Sequence, residues 1–334
     1  MTNEPERAPT RGSAAVATVA LLASLWSVAA LAGDSEPVKI VSGLAGGSGS
    51  TVGPNGALYV TEPAAGRISR VDPRTGKVTT FATGLPPLIP AIGIGGAMDV
   101  EFLNGTAYVL VTLVGADVGG TSIVGVYRMD GPNRFTPIAD IGAFSLANPP
   151  STPFFVPTGV QYAMERYGDA LLVTDGHHNR VLRVTRKGAV SELIAFDNLV
   201  PTGLAVAGGL VFMSQAGPVP HLPENGRVIA FGPWRHFVWE VASGAPLLTD
   251  VELSRDYELF ALSQGTWNGV AEGSPALPFT GSLVRARLDG TFSVVAERLN
   301  IPTSLEIIGD TAYVVSLMGE IWRIDDISRR RHRH

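Results

Sequence analysis

Short runs of alternating apolar and polar residues, each about the length of a strand, recur along this chain between Gly, Asp and Asn residues. The clearest group lies within residues 156–196, where the pattern predicts strands at residues 158–163, 170–174, 180–184 and 189–194. A charged turn is predicted at residues 164–169 and a polar loop at residues 175–179. Val, Leu, Ile and Thr favour strands, and the intervening residues favour turns. Because one such sheet cannot bury both faces alone, the group predicts neighbouring sheets of the same kind.

The pattern recurs six times, with a period of about 45 residues. Each unit begins with an inner-strand motif, and the six motifs are Ser50-Thr51-Val52, Met98-Asp99-Val100, Thr158-Gly159-Val160, Thr202-Gly203-Leu204, Thr249-Asp250-Val251 and Thr303-Ser304-Leu305. Four-strand units with this period are typical of β-propellers. The sequence therefore predicts an all-β fold, a six-bladed β-propeller, over residues 33–326.

The sixth unit has no fourth strand of its own, because its pattern stops after the third strand at Asp325. Residues 38–44 alternate apolar and polar side chains in the manner of the other fourth strands. We expect this N-terminal strand to complete the last blade and so remove an open sheet edge. The content of 39 Gly and 24 Pro suits a turn-rich all-β fold, and no amphipathic helix is predicted after residue 32.

The two ends of the chain differ in composition from the repeats. Residues 13–30 are an uncharged run rich in Ala, Leu and Val that follows Arg7 and Arg11 and ends in Ala30-Leu31-Ala32. This pattern predicts a signal peptide at residues 1–32 and a secreted or cell-envelope protein, with an uncleaved anchor as the alternative. No second apolar run of that length follows, so we expect no integral membrane span in the mature chain. Residues 327–334 contain four arginines and are predicted to be a disordered basic tail.

Composition narrows the chemistry. The chain has no Cys, which excludes disulfides, cysteine nucleophiles and thiolate metal sites. Its formal net charge is −5 even though the tail contributes four arginines, so the repeats themselves are acidic. An acidic ring is a poor nucleic-acid binder. We expect a monomer whose partner is a small molecule, a glycan or an exported protein.

The loops of the repeat divide into two classes. In a propeller, the turns that join strands one to two and three to four lie on one face, and here they are short. The opposite face carries the other loops and the connections between blades, which include every long segment: residues 85–97, 112–121, 141–157, 215–226 and 264–281. Long loops on a rigid scaffold are where binding residues concentrate. We therefore predict the functional site on this long-loop face.

Acidic residues stand at equivalent places in blades 2 and 5, which are opposite each other in a six-membered ring. Asp99 and Glu101 occupy the inner strand of blade 2, and Asp250 and Glu252 that of blade 5. Residues two apart on a strand point to the same side. Two such pairs across a channel predict a site for Ca²⁺ or another divalent cation, or a carboxyl that stays protonated as a general acid. The alternative is structural: each carboxylate accepts backbone N–H groups or pairs with an Arg between blades.

Further candidates lie in the long loops. Asp175, His177, His178 and His221 belong to the loops of blades 3 and 4, where imidazole and carboxylate could bind a metal or form a solvated loop. Trp267 could line an apolar ligand pocket or pack its own loop against the blade.

Several segments resemble a known superfamily. These include GPNGALYVTE at residues 53–62, VTDGHHNRVLRV at residues 173–184 and TDVELSRDYELFALSQG at residues 249–265. With the six repeats, they resemble the NHL/gluconolactonase-like six-bladed β-propellers, and within them the ScyD/ScyE family of exported bacterial propellers. The resemblance implies an exported ring whose biochemical activity is mostly unassigned.

The resemblance also bears on particular residues. Gluconolactonase-like enzymes place Glu, Asn and Asp around Ca²⁺ or Zn²⁺, but the matching positions here are Thr158, Thr202 and Thr303. Threonine is a weak, neutral ligand, so that metal site is not implied, and the three threonines remain candidates for ligand binding. Propellers similar to strictosidine synthase and virginiamycin lyase use a catalytic Glu or His on this face. Glu62, His177 and His178 are the candidates available here, and no motif selects one of them.

Two functions follow as hypotheses. The first is an accessory or non-catalytic exported propeller that binds a small molecule, glycan or protein on its long-loop face. The alternative is a secreted hydrolase or lyase, similar to gluconolactonase, that acts at an acidic channel mouth with or without a divalent cation.

Overall fold

A computed structural model describes residues 36–232, 237–271 and 273–328, and in it each predicted repeat is a four-stranded antiparallel sheet. The predicted signal peptide lies outside the described residues, and so does the basic tail beyond Ser328. Six such sheets form a ring, which confirms the six-bladed β-propeller. No helix among the described residues has the length and apolarity to cross a bilayer.

The strands follow the blades in chain order. Blade 1 comprises β2 (Ser50–Val52), β3 (Leu58–Glu62), β4 (Arg67–Val71) and β5 (Val78–Thr83); blade 2 comprises β6 (Gly96–Leu103), β7 (Thr106–Thr112), β8 (Gly125–Gly131) and β9 (Arg134–Asp140); blade 3 comprises β10 (Gln161–Tyr167), β11 (Ala170–Asp175), β12 (Arg180–Thr185) and β13 (Val190–Ala195). Blade 4 comprises β14 (Pro201–Ala207), β15 (Leu210–Gln215), β16 (Arg227–Phe231) and β17 (Val238–Ser243); blade 5 comprises β18 (Leu248–Leu253), β19 (Leu259–Ser263), β20 (Gly281–Ala286) and β21 (Phe292–Leu299); blade 6 comprises β22 (Pro302–Ile308), β23 (Thr311–Ser316), β24 (Ile321–Ile324) and β1 (Val38–Val41).

The N-terminal strand closes the ring, as the sequence predicts. β1 pairs antiparallel with β24, with Val38 opposite Arg323 and Lys39 opposite Trp322. The Lys39 ammonium lies 2.8 Å from a carboxylate oxygen of Glu320, which ties the closing strand to the loop before β24. The strand itself ends at Val41, three residues short of the predicted end.

The inner strand of blade 3 is displaced along the chain from its predicted place. β10 begins at Gln161 and continues through Met164 to Tyr167, so the predicted charged turn at residues 164–169 is wrong. Gly159 has φ +76 and donates its N–H to the carbonyl of Val156, which makes residues 156–159 a turn before the strand. A register shift between Gln161 and Met164 then sets the pairing of β10 with β11. As a result, Glu165 lies in the strand and not in a solvent turn.

One short helix was not predicted. α1 (Ile141–Ala147) begins after Asp140, whose carboxylate accepts the N–H of Ala143 at 2.7 Å. This is a standard N-terminal cap. The helix buries Ile141 and Ser145 at the junction between blades 2 and 3. Four 3-10 helices are also described: Pro54–Gly56, Pro63–Ala65, Ala116–Val118 and Pro223–Asn225.

The hydrophobic core lies between neighbouring blades and not at the axis of the ring. Between blades 1 and 2, for example, buried Ile68, Val100 and Val109 pack together. Tyr59 there meets Phe102 edge to face, with ring centroids 4.8 Å apart. Because the sheets bury their faces against each other, the inner strands are free to line a channel along the axis.

Candidate functional site

A cavity of about 820 Å³ lies at the long-loop end of the central channel. All six blades contribute to its wall through the starts of their inner strands and the loops around them. Six carboxylic acids line it: Asp99, Glu101, Glu165, Asp250, Glu252 and Glu306. No Lys or Arg is among the described lining residues. The cavity therefore lies on the predicted face, and its charge is one-sided.

The inner strands present these acids in a pattern that repeats after three blades. At the first equivalent position the ring has Gly49, Asp99 and Ala163, and then Gly203, Asp250 and Ser304. Two residues further along each strand it has Thr51, Glu101 and Glu165, and then Ala205, Glu252 and Glu306. We call Asp99 and Asp250 the aspartate pair, and the four glutamates the glutamate girdle.

The aspartate pair links blades through backbone hydrogen bonds. Asp99 accepts the N–H of Val100 at 2.8 Å and that of Met164, in the next blade, at 2.7 Å. Asp250 accepts the corresponding N–H groups of Val251 at 2.9 Å and Leu305 at 2.7 Å. This is the structural alternative raised by the sequence. Burial nevertheless raises the pKa of both carboxyls, that of Asp250 to about 7.

Glycine in the preceding blade makes room for each aspartate. A Cβ on Gly49 would overlap the carboxylate of Asp99, and a Cβ on Gly203 would overlap that of Asp250. A larger residue in place of Gly49 or Gly203 would displace the neighbouring aspartate from its two N–H partners. The three-blade pattern is thus a packing requirement as well as a charge pattern.

The glutamate girdle has fewer partners. Glu101 accepts the N–H of Phe102 at 2.8 Å and the hydroxyl of Thr51 at 3.2 Å, and Glu252 accepts the N–H of Leu253 at 3.3 Å. Glu165 and Glu306 have no side-chain hydrogen bond within the described part of the chain. All four side chains are half-buried, because the hollow channel leaves part of each one open to water.

Burial and mutual repulsion raise the pKa of every carboxyl in the girdle. Burial is the larger cause throughout, and it raises the pKa of Glu101 to about 7. For Glu165 and Glu306, the repulsion of the other channel carboxylates adds to burial and holds the pKa well above its usual value. The pKa of Glu252 is raised well above its usual value in the same way. Glu101 therefore exchanges its proton near neutral pH, and the other three keep their protons to a higher pH than an ordinary Glu does.

The channel continues past the girdle. A second cavity of about 370 Å³ is formed by the inner-strand ends and first turns of blades 4 and 5, and it too is lined by Glu165 and Glu252. The girdle therefore lies between a large cavity on the long-loop side and a smaller one on the turn side.

The predicted cation site does not appear as a preformed site. Within residues 36–232, 237–271 and 273–328, no three His, Asp or Glu side chains are grouped closely enough to hold a metal ion. Both oxygens of Asp99 and of Asp250 already accept backbone N–H groups.

Two of the predicted histidines lie on the cavity wall. His177 shares a 3.0 Å hydrogen bond between its Nε2 and the hydroxyl of Tyr162, and its Nδ1 has no partner among the described residues. Burial lowers the pKa of His177 to about 4, so the ring is neutral at physiological pH. His221 donates from Nδ1 to the carbonyl of Gly217 at 2.8 Å.

Trp267 supports the loop and does not line the cavity. Its ring contacts His221 edge to face at 5.9 Å between centroids, and its indole N–H donates to Ser274 at 3.1 Å. The interpretation in which Trp267 packs its own loop is therefore the one that the contacts favour.

Glu62 is enclosed by donors away from the cavity. Arg67 binds both of its carboxylate oxygens, at 2.7 and 2.5 Å, and Ser69 and the N–H of Ala45 also donate to it. Burial opposes ionisation, but these hydrogen bonds together with the Arg67 charge lower the pKa of Glu62. The structure gives Glu62 a role in holding blade 1, and no access to a ligand in the cavity.

Asp175 and His178 form a similar buried cluster in blade 3. The Arg180 guanidinium lies 3.0 Å from Asp175 and 3.1 Å from Nδ1 of His178, while Nε2 of His178 lies 3.0 Å from the carbonyl of Val156. Because a carbonyl only accepts, Nε2 of His178 carries a proton, while its Nδ1 lies 3.1 Å from both the Arg180 guanidinium and a carboxylate oxygen of Asp175. Neither Asp175 nor His178 lines the cavity.

The three predicted threonines also differ in whether they line the cavity. Thr202 and Thr303 line the cavity, and their hydroxyls donate across the blade boundary to the carbonyls of Leu248 at 2.9 Å and Gly47 at 3.2 Å. The hydroxyl of Thr158 donates to Asp117 at 2.7 Å, away from the cavity.

The sequence pattern did not identify Glu165 as a channel residue. Its own blade supplies the missed signal: Met164-Glu165 has the same apolar-acidic order as Val100-Glu101, Val251-Glu252 and Leu305-Glu306. Alignment of the blades on this dipeptide, in place of the Thr-Gly motif, would have placed Glu165 in the girdle.

Comparisons with known proteins agree with the fold. No protein-family model matches the chain, and no curated protein sequence does. A gluconolactonase from Xanthomonas campestris is similar in structure, with a TM-score of 0.60 and 12% identity, over 86% of this chain and 89% of its own. Virginiamycin B lyase from Staphylococcus aureus has a TM-score of 0.51 and 13% identity, over 86% of this chain and 98% of its own. Aldose sugar dehydrogenase from Streptomyces coelicolor has a TM-score of 0.53 and 15% identity, over 86% of this chain and 96% of its own. At these identities the likeness shows a shared six-bladed β-propeller fold.

Proposed function

We propose that this protein is an exported propeller that binds a small molecule in the long-loop cavity. The observation that carries the proposal is the cavity itself, about 820 Å³ in volume at the axis of the ring and lined by all six blades. Small-molecule sites are typically concave, about 300–1,000 Å³ in volume, and lined by apolar groups with a few directed polar ones. Export through residues 1–32 and kinship with the ScyD/ScyE family are part of the same proposal.

The wall suits a small ligand better than a flat protein surface. Apolar contacts are available from Leu88, Ile94 and Met98 on one side, and polar contacts from Gln264 and Ser274 on another. A concave site encloses a ligand from several directions, which gives affinity and orientation together. A glycan that inserts one residue fits this geometry too.

A thermal-shift screen of metabolites and short glycans tests the proposal, with the chain that starts at residue 33. Two adjacent alanines supply a matched pair of variants, since both are exposed in the Pro63–Ala65 helix but only Ala64 lines the cavity. Ala64→Trp should abolish a ligand-induced rise in Tm, and Ala65→Trp should leave it intact. Hits that survive Ala64→Trp would place binding elsewhere, and a screen without hits would remove the proposal.

The second candidate function is a hydrolase or lyase. Glu101, whose pKa is raised to about 7, is a carboxyl that can donate or accept a proton at the cavity wall near neutral pH. The fold is shared with a gluconolactonase and a lyase. Turnover of a lactone or of a cyclic peptide ester, lost in Glu101→Gln with binding retained, would support this candidate. Binding without turnover would favour the accessory role.

A further inference from the structure

We propose that the ligand of this cavity is an aliphatic di- or polyamine, whose ammonium groups are bound by the glutamate girdle. The inference rests on the proposed function, because it names the ligand class of the same cavity. Three features of the cavity point to this ligand class: the charge of its lining, the free hydrogen-bonding capacity of its glutamates, and the shape of the channel.

The lining attracts cations and repels anions. Six carboxylic acids contribute to it and no described lining residue is Lys or Arg. Two guanidinium groups lie on the turn side of the girdle: that of Arg166, whose attraction favours ionisation of Glu101, and that of Arg255, which lines the smaller cavity with Glu165 and Glu252. A channel of one charge sign with protein walls concentrates counterions. Phosphorylated or carboxylate ligands are disfavoured for the same reason.

The unmet hydrogen bonds lie in the girdle. Two buried carboxylates elsewhere in the ring have guanidinium partners, Glu62 in Arg67 and Asp175 in Arg180. Glu165 and Glu306 are half-buried in the channel wall, and no described group donates to either. Their carboxylates therefore have only the water of the channel as a donor, and the neighbouring acids leave them in need of a positive charge. An alkylammonium group carries three donors and a positive charge, so it satisfies both needs.

The spacing favours an organic cation over a metal ion. Divalent ions need several oxygens within about 2.3–2.6 Å of one point, and no described group of three acids converges in this way. An ammonium nitrogen binds oxygens at about 2.8 Å and can move along an acidic channel until its donors are satisfied. The cluster is therefore too open for an inner-sphere metal and wide enough for an amine.

The channel favours an elongated amine. The girdle lies between the 820 Å³ cavity and the 370 Å³ cavity, and Glu165 and Glu252 line both. The aspartate pair lies one side-chain repeat away, about 6–7 Å along the strands. A linear chain with amines several carbons apart can place one ammonium at the girdle and extend its methylenes and second ammonium along the axis.

Binding should also release protons. The girdle carboxyls face one another from β6, β10, β18 and β22, whereas β2 and β14 present Thr51 and Ala205, which do not titrate. Burial raises the pKa of Glu101 to about 7, so this acid is partly protonated at pH 7, and burial also raises the pKa of Glu252. A bound ammonium stabilises the ionised carboxylates, so affinity should increase as the pH rises from 6 to 8.

Isothermal titration of the chain that starts at residue 33 tests the inference, with spermidine and putrescine as probes. The matched neutral probe is 1,4-butanediol and the matched anion is succinate. At pH 8 we expect saturable spermidine binding, with butanediol and succinate at least about tenfold weaker. Glu165→Gln and Glu306→Gln should each weaken spermidine about tenfold, while Glu297→Gln, an exposed acid on β21, should not. Titration in buffers of different ionisation enthalpy should show proton release.

Each other outcome contradicts the inference in a defined way. Equal binding of spermidine and butanediol, or spermidine binding that both girdle variants retain, would overturn it. Calcium chloride that binds more tightly than spermidine and depends on the girdle would assign the site to a metal. If neutral compounds from the screen bind in an Ala64-dependent manner and amines do not, the cavity remains a binding site and only the ligand class is wrong. If neither binds, both proposals fail.

Discussion

Two sets of enclosed carboxylates in this ring differ in what surrounds them. Glu62 and Asp175 stand at the ends of second strands, each beside the Arg that begins the third strand of its blade. The girdle acids stand on the inner strands and face one another, with no Lys or Arg among the described residues that line the larger cavity. Hydrogen bonds from Arg67, Ser69 and Ala45 lower the pKa of Glu62 against the effect of burial, whereas burial raises the pKa of Glu101 to about 7.

This difference in partners distinguishes acids that have a structural role from acids that are available to bind a ligand. A carboxylate neutralised by a guanidinium holds loops in place and has no capacity left for a ligand. A carboxyl with a raised pKa and few donors reduces the stability of the folded ring at neutral pH, and keeps its hydrogen bonds for something that enters the channel. The same residue type thus has opposite consequences at two places in one blade repeat.

The largest expected effect comes from removing the Arg180 guanidinium that pairs with Asp175. Arg180→Met should leave Asp175 enclosed without its partner and lower the free energy of unfolding by about 3–5 kcal/mol. Arg180 is 1% exposed, whereas Arg227 pairs with Glu240 at the surface. Arg227→Met should therefore change stability by less than about 1 kcal/mol. Urea unfolding of both variants measures the contrast, and equal losses would contradict the distinction between enclosed and surface pairs.

The pH dependence of stability is the next largest effect. Burial raises the pKa of Glu101 and of Asp250 to about 7 in the folded protein, from ordinary values of 4.5 and 3.8. Between those values the folded state binds more protons than the unfolded state, so stability should fall as the pH rises from about 4.5 to 7 and then level off. At about 1.4 kcal/mol per pKa unit the two shifts together correspond to a loss of several kcal/mol, which measurements of Tm across this pH range would detect.

Glu62 makes the stability change with pH in the opposite direction at lower pH. Hydrogen bonds from Arg67, Ser69 and Ala45 outweigh burial and lower the pKa of Glu62, so its stabilising contribution is lost as the pH falls below about 4.5. We therefore expect maximum stability near pH 5. A Tm that rises steadily from pH 5 to pH 8 would show that the girdle is not strained by its charges.

A single girdle variant should remove part of this pH dependence. Glu101→Gln keeps the acceptor for the N–H of Phe102 but cannot ionise. It should raise the free energy of unfolding by about 1–3 kcal/mol at pH 8 and leave it unchanged at pH 4. The exposed Glu297→Gln serves as the control and should have no effect at either pH. Destabilisation by Glu101→Gln at pH 8 would assign this residue to the structural set.

The smallest effect concerns the aspartate pair. Each aspartate has its own two backbone N–H partners, so Asp99→Asn and Asp250→Asn should be additive within about 0.5 kcal/mol at pH 5. Repulsion from Asp250, whose pKa is raised to about 7, is among the causes that raise the pKa of Asp99, so the two carboxyls should interact through charge as the pH rises above 7. The double variant should then lose less than the sum. Coupling at pH 5 that equals the coupling at pH 8 would point to a shared ligand or contact in place of charge.

The periodicity of the chain was sufficient to predict the ring, because strand alternation and turn residues are local signals that repeat six times. The closing strand at residues 38–44 was predictable for the same reason, since the sixth repeat visibly lacked its fourth member. The helix Ile141–Ala147 was not, because seven residues with one cap, Asp140, carry too little periodicity to distinguish them from a loop.

The site was predictable only in part. Asp99, Asp250 and their following glutamates were identified because the acids recur at one offset from a shared motif. Glu165 was missed because an irregular turn at Gly159 shifts the strand start, and register depends on pairing with β11 and not on local sequence. The guanidinium partners of Glu62 and Asp175 were missed too, since nothing in the sequence shows that Arg67 and Arg180 fold back across a hairpin.

The strand pairing between β1 and β24 determines the order in which the chain can fold. Lys39 and Glu320 are 281 positions apart, so their contact forms only after the sixth blade exists. Bringing such distant segments together costs about 5 kcal/mol of chain entropy by the logarithmic loop law, whereas a hairpin within one blade costs far less. Individual blades can therefore begin to form early, while the ring stays open until its last strand is available. An incomplete chain therefore remains an open array of blades until Val38–Val41 can pair with Ile321–Ile324.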